Sequence, residues 1–212
     1  MTLESSKIMG GIGAILMFVG ILPQVNYIGI IELIGLILVL VALHNLANYY
    51  KEGGIFRNAM YGVAIAVVGA IIIGVLAFAV VLSNIKDLII QLYPGWNGDW
   101  STLQGMTPNT SNFDPTNILP LIGGLLVVLV IAWVFSILAA FFIWRSLKQV
   151  SNKSNTGLFG TAGLILLIGA IIPGIGLILM WISALILAIS FFTLKSREQP
   201  MATSAPPPPP TV

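Results

Sequence analysis

Few residues in this 212-residue chain could do chemistry. Glu32 is the only carboxylate inside a long apolar run. A charge at membrane depth costs on the order of a few kcal/mol, so an intramembrane acid is a candidate for proton or cation handling. The competing reading is a polar anchor. It rests on position, because Glu32 lies about one turn inside a helix end, where the cost is lower. There it could be protonated, or hydrogen-bonded to Gln24, Asn26 or a neighbouring helix. His44 is the only histidine, and no acid follows it at i+3 or i+4. With no cysteine in the chain, it has no ligand set for a metal. No motif joins it to a serine and an acid as a nucleophilic triad. The glycine-rich GGIGAI from Gly10 lies within an apolar helix rather than between strand and helix, so it serves packing, not phosphate. We therefore expect no catalytic residue, no cofactor, no metal site and no enzyme. Asn109-Thr110-Ser111 is a sequon that could carry a glycan. A second sequon, Asn152-Lys153-Ser154, falls on the opposite side by the charge argument below and should stay unmodified.

The elements that position these residues follow from composition. The chain is 58% hydrophobic and 8% charged, with mean hydropathy +1.03. Soluble domains carry about 25% charged residues. So little charge cannot cover a water-facing surface, and the lipid bilayer is the expected solvent. A net charge of +2 is too small for a nucleic-acid footprint.

The apolar runs predict an all-α, polytopic transmembrane bundle of six spans arranged as three hairpins. The spans are 7–22, 27–46, 59–83, 118–147, 158–172 and 175–194. Pro23 and Asn26 mark the first turn, and Pro173-Gly174 the last. Residues 1–197 form the membrane domain, with an outer loop at 84–117. Residues 198–212 contain the run Pro206 to Pro210 and read as a disordered, proline-rich cytoplasmic tail. In the outer loop, Ile85, Leu88, Ile89 and Leu92 make one apolar helical face. That predicts a short interfacial helix, with Tyr93, Trp96 and Trp100 at headgroup level. The alternative is a continuation of the third span.

Charge sets the orientation. Lys7, Lys51, Arg57, Arg145, Lys148, Lys153, Lys195 and Arg197 fall on the side of the termini, and Lys86 alone on the other. Basic residues stay inside. Both termini are therefore expected in the cytoplasm, and the plasma (cytoplasmic) membrane is the expected location.

Packing in lipid relies on small residues that let backbones approach. Gly62, Ala66, Ala70 and Gly74, four apart, are the expected helix-packing seam. It would serve within the chain or against another copy or another membrane protein. The hairpins also echo one another. Gly13 and Gly163 each precede a proline, Pro23 and Pro173, by ten positions. GLIL from Gly35 parallels ALIL from Ala184, and VVGAII from Val67 parallels LIGAII from Leu167. In this alignment Trp181 stands where the first copy has Glu32.

The hairpin starts, FRNAMYG before the third span, and WRSLKQVSNKSNTGLFGTAGLILLIGAIIPG resemble a family of small prokaryotic, chiefly archaeal, integral membrane proteins catalogued as a domain of unknown function. The resemblance covers 3–194. It implies an archaeal-type plasma-membrane protein, fits glycosylation at Asn109, and brings no catalytic residues. The functional expectation is an integral membrane protein with a structural or accessory role. The alternative is a small transporter or channel using Glu32 as its intramembrane polar group. Transport needs several polar groups along one path, and the spans supply little beyond Glu32, Ser136, Ser183 and Ser190.

Overall fold

The computed structural model describes residues 3–20, 22, 29–109, 111 and 114–195. Among these residues the secondary structure is helical throughout. α1 is Leu3–Gly20, α2 Ile30–Tyr49, α3 Gly53–Leu92, α4 Leu119–Ser154, α5 Gly157–Ile171 and α6 Gly176–Phe192. Two short 3-10 turns, Trp100–Gly105 and Pro115–Ile118, lie between α3 and α4. Pro23, Asn26 and the proline-rich tail lie outside the described residues.

The first four helices are long and apolar enough to cross a membrane. α5 and α6 have 15 and 17 residues. At 1.5 Å per residue they rise about 22 and 25 Å, short of a hydrocarbon core of roughly 30 Å.

Three boundaries differ from the sequence reading. The expected interfacial helix is not separate, because Ile85, Leu88, Ile89 and Leu92 form the last turns of α3. α3 also starts six residues earlier than expected, at Gly53. α4 runs on through SLKQVSNKS to Ser154. The cause is common to all three. Hydropathy marks where lipid contact ends, but a helix continues while its backbone bonds can form. Ser, Asn, Lys and Gln cost a helix only up to about 0.7 kcal/mol each.

The chain divides into two compact units. The first is Met1–Met60 with Phe142–Val212, and the second is Tyr61–Phe141.

In the first unit α1 packs on α2 and on α6, and α5 packs on α6. Its core gathers toward one set of helix ends. Leu43, Leu46 and Ala47 of α2 meet Ile55 and Ala59 of α3, Leu147 and Val150 of α4, Phe159 of α5 and Phe191 of α6. Phe159 and Phe191 stack edge to face at 5.1 Å. Two of the α-helix pairs touch at backbone distance. A methyl group on Gly13 would lie 2.7 Å from the Gly35 carbonyl oxygen, and one on Gly169 2.8 Å from that of Gly176. Buried hydroxyls add interhelical bonds. Ser146 Oγ donates to the Ile55 carbonyl at 2.7 Å, and Ser183 Oγ to that of Ala162 at 2.7 Å.

The turn from α2 to α3 is a Schellman closure. The Glu52 N–H donates to the Ala47 carbonyl at 2.8 Å and the Lys51 N–H to that of Asn48 at 3.2 Å. Lys51 takes the left-handed conformation, φ 53°, which usually falls to glycine. Asn155, between α4 and α5, has the same φ. Glu52 and Lys153 pair at 3.1 Å.

In the second unit, α3 and α4 approach closely at two points. A methyl on Gly69 would meet the Phe135 ring at 2.8 Å, and one on Gly124 would meet Val80 at 2.6 Å. The connection between them is built on aspartate caps. Asp99 Oδ1 accepts from the Ser101 N–H and hydroxyl at 2.9 and 2.8 Å. Asp114 Oδ1 accepts from Thr116 in the same way. In both, the backbone N–H bond leads in holding the carboxyl below its usual value, the hydroxyl bond adds to it, and desolvation opposes weakly. Trp96 is buried, donates Nε1–H to the Asp99 carbonyl at 2.7 Å, and stacks edge to face with Trp100 at 5.1 Å.

Candidate functional site

Glu32 occupies the third position of α2, after the left-handed Gly29 cap. Free backbone N–H groups at a helix start favour a carboxylate there. Its residue is exposed, and its backbone lies tight against α1: a methyl on Gly20 would sit 2.9 Å from the Glu32 nitrogen. Gln24 and Asn26, the expected partners, lie outside the described residues. Trp181 of α6 reaches the same last turn of α1. It stacks on Phe18 and donates its indole N–H to the Phe18 carbonyl. The residues that the sequence echo aligns, Glu32 and Trp181, thus both pack on the end of α1, one through its backbone and one through its ring.

Among the described residues, neither Glu32 nor the span hydroxyls form a polar path. Ser136 Oγ donates to the Trp133 carbonyl within its own helix, and Ser190 Oγ to that of Ile186. Ser183 serves the α5–α6 contact. Each of these hydroxyl donors is engaged by a backbone carbonyl.

His44 is exposed, accepts at Nε2 from Asn48 Nδ2 at 3.2 Å, and meets the Phe56 ring edge to face at 4.7 Å. Among the described residues, no three His, Cys, Asp or Glu gather as a metal site.

The expected seam does not lie against a helix of this chain along its length. Gly62 is buried, but Ala66, Ala70 and Gly74 are exposed, and a methyl on Gly74 would meet nothing within 4 Å. The reason is angular. Each four-residue step advances about 40° around a helix, so the stripe turns about 120° from Gly62 to Gly74. The residues that hold one face are Gly62, Gly69 and Val80, spaced seven and eleven apart. Glycine at Gly69 was visible in the sequence, but its partner Phe135 was not.

Asn109 is exposed. Its N–H donates to the Leu92 carbonyl at 2.7 Å, and its Oδ1 accepts from the Ser111 N–H at 3.0 Å. The bond to Leu92 places Asn109 at the end of α3. Asn152 is helical and exposed, in the last turn of α4.

One feature was not legible beforehand. A cavity of about 450 Å³ opens where α4, α5 and α6 end or begin. Tyr50, Lys153, Thr156, Leu158, Thr193 and Lys195 are among its walls. The residues come from three separate stretches, so no spacing announces them.

A family described as "Protein of unknown function (DUF996)" matches residues 31–186. The chain is also similar to the uncharacterized protein MJ1644 of Methanocaldococcus jannaschii. The two are 24% identical over 196 residues, which cover 92% of this chain and 94% of the relative. No solved structure matches.

Proposed function

This chain belongs to the DUF996 family of proteins of unknown function, and from that premise we propose a multi-pass protein of the cytoplasmic membrane with a structural or accessory, non-catalytic role. Six helices cross as three hairpins, both termini are cytoplasmic, and loop 84–117 faces out. The short α5 and α6 cross where the bilayer thins around them. Its partners are lipid and other membrane proteins or a second copy.

The observation that carries this reading is the outward display of large apolar side chains along the helices. Val75, Phe78, Leu126, Ile175 and Leu177 are among the most exposed large hydrophobic residues of those described. Water would penalise that surface by roughly 25 cal/mol per Å² of apolar area, and lipid would not. An accessory role is favoured over transport by the engaged hydroxyls and by the position of Glu32 at a helix start.

Two experiments test it. In sealed cells, a label at the C-terminus should be protected and one at Thr107 accessible; the reverse pattern overturns the topology. The protein purified gently from native membrane should run in a stable larger assembly. Solute flux by the lone protein in liposomes would replace the accessory role with transport.

A further inference from the structure

We infer that the cavity between the ends of α4, α5 and α6 binds a phosphate-bearing anion. Its volume, about 450 Å³, lies within the range of small-ligand sites. The charged residues among its walls, Lys153 and Lys195, are both cations. Glu52 pairs with Lys153 at 3.1 Å and offsets one of them. Among the described residues, Lys195 has no ion pair. Among the described residues one ammonium is therefore uncompensated and the other is shared, which gives the described walls a net positive charge. Lysine binds phosphate as a mobile point charge with three donors.

The remaining walls fit the same ligand. Asn155 and Ser154 supply polar side chains beside the two lysines, and Leu158 supplies an apolar flank. Leu158 also belongs to the first turn of α5, which lacks a side-chain cap, so its backbone adds a weak positive potential. This arrangement combines a basic rim with an apolar side on helices that read as membrane-embedded. Basic pockets between such helices on the cytoplasmic face take lipid head groups. Either the phosphate of an anionic lipid or a soluble phosphate supplies the required chemistry. Only the side of the membrane rests on the topology proposed above; the cavity and its lysines do not.

The test uses the full chain in neutral detergent. Thermal unfolding is followed while phosphatidylglycerol, phosphatidylcholine or inorganic phosphate is titrated. Phosphatidylglycerol should raise the melting temperature, and phosphatidylcholine should not. Lys195→Gln should weaken the apparent affinity about fivefold, and Lys86→Gln, in the second unit, should leave it unchanged. Lys195 has no ion pair to lose among the described residues, so the unliganded variant should melt as the native chain does. Native mass spectrometry of retained lipid gives a second readout if a variant folds poorly. A lysine-dependent response to inorganic phosphate alone assigns the site to a soluble anion. No response to either phosphate source, or one that survives Lys153→Gln with Lys195→Gln, overturns the inference.

Discussion

Trp181 stacks on Phe18 with ring centroids 4.6 Å apart and 5° between the planes, and its indole N–H donates to the Phe18 carbonyl at 2.9 Å. The acceptor is one of the last carbonyls of α1, which has no partner within its own helix. One side chain thus closes a helix end and joins α6 to α1. Trp181→Phe keeps the ring and removes the donor, and should destabilise the first unit by about 1 kcal/mol. Trp181→Ala removes both and should cost roughly 3 kcal/mol. Thermal unfolding in detergent separates them. Equal melting of the two variants would show that the hydrogen bond, not the ring, carries the contact.

Backbone crossings should respond to a single methyl. Gly13→Ala and Gly35→Ala each place a carbon within 3 Å of the facing backbone and should destabilise by about 1–3 kcal/mol. Gly74→Ala meets open space and should be neutral, or stabilising by up to about 1 kcal/mol through helix propensity. Circular dichroism melts of the three variants give the ranking. A loss of stability at Gly74 comparable to that at Gly13 would mean that the exposed stripe is covered by a second chain.

That the chain is helical, with several long apolar helices, was legible because long runs without charge survive in any register. Helix ends were less so. Lys51 and Asn155 adopt a conformation that sequence rules assign to glycine, while Gly53 and Gly54 start a helix rather than forming the turn. The face that α3 turns to α4 was hidden for a similar reason. Four-residue spacing of small side chains is visible, but which face meets α4 depends on Phe135 and Gly124, far away in sequence. Trp181 and Phe18 are 163 positions apart, and only the fold brings them together.

Lys51 offers a stability gain. The left-handed conformation costs a side chain about 1–2 kcal/mol, which Lys51→Gly removes. The same change deletes a favourable cation at the end of α2, worth about 0.3–1 kcal/mol. The net expectation is a stabilisation of about 0.5 kcal/mol, against a loss for Lys51→Val, whose branched carbon is strained there. Chemical denaturation of the three proteins decides the order; Gly below Lys would mean that the charge outweighs the strain.

The loop between α3 and α4 should be acid-sensitive. Asp99 and Asp114 have carboxyls held below their usual value, chiefly by the backbone N–H groups of Ser101 and Thr116. A depressed folded value means that the charged form stabilises the loop above the unfolded value of about 3.9. That contribution is lost as pH falls through the depressed values, so the loop holds its order from neutral pH to about 4 and loosens only below. Trp96, bonded to the Asp99 carbonyl, reports it. Its fluorescence and its protection from a soluble quencher should be flat down to that range and then fall. The double variant Asp99→Asn with Asp114→Asn cannot titrate at these positions, yet its amide oxygens can still accept the same bonds. Its profile should lose the acid step and start from a somewhat less protected Trp96. An acid step of unchanged size in that variant would place the titrating groups elsewhere.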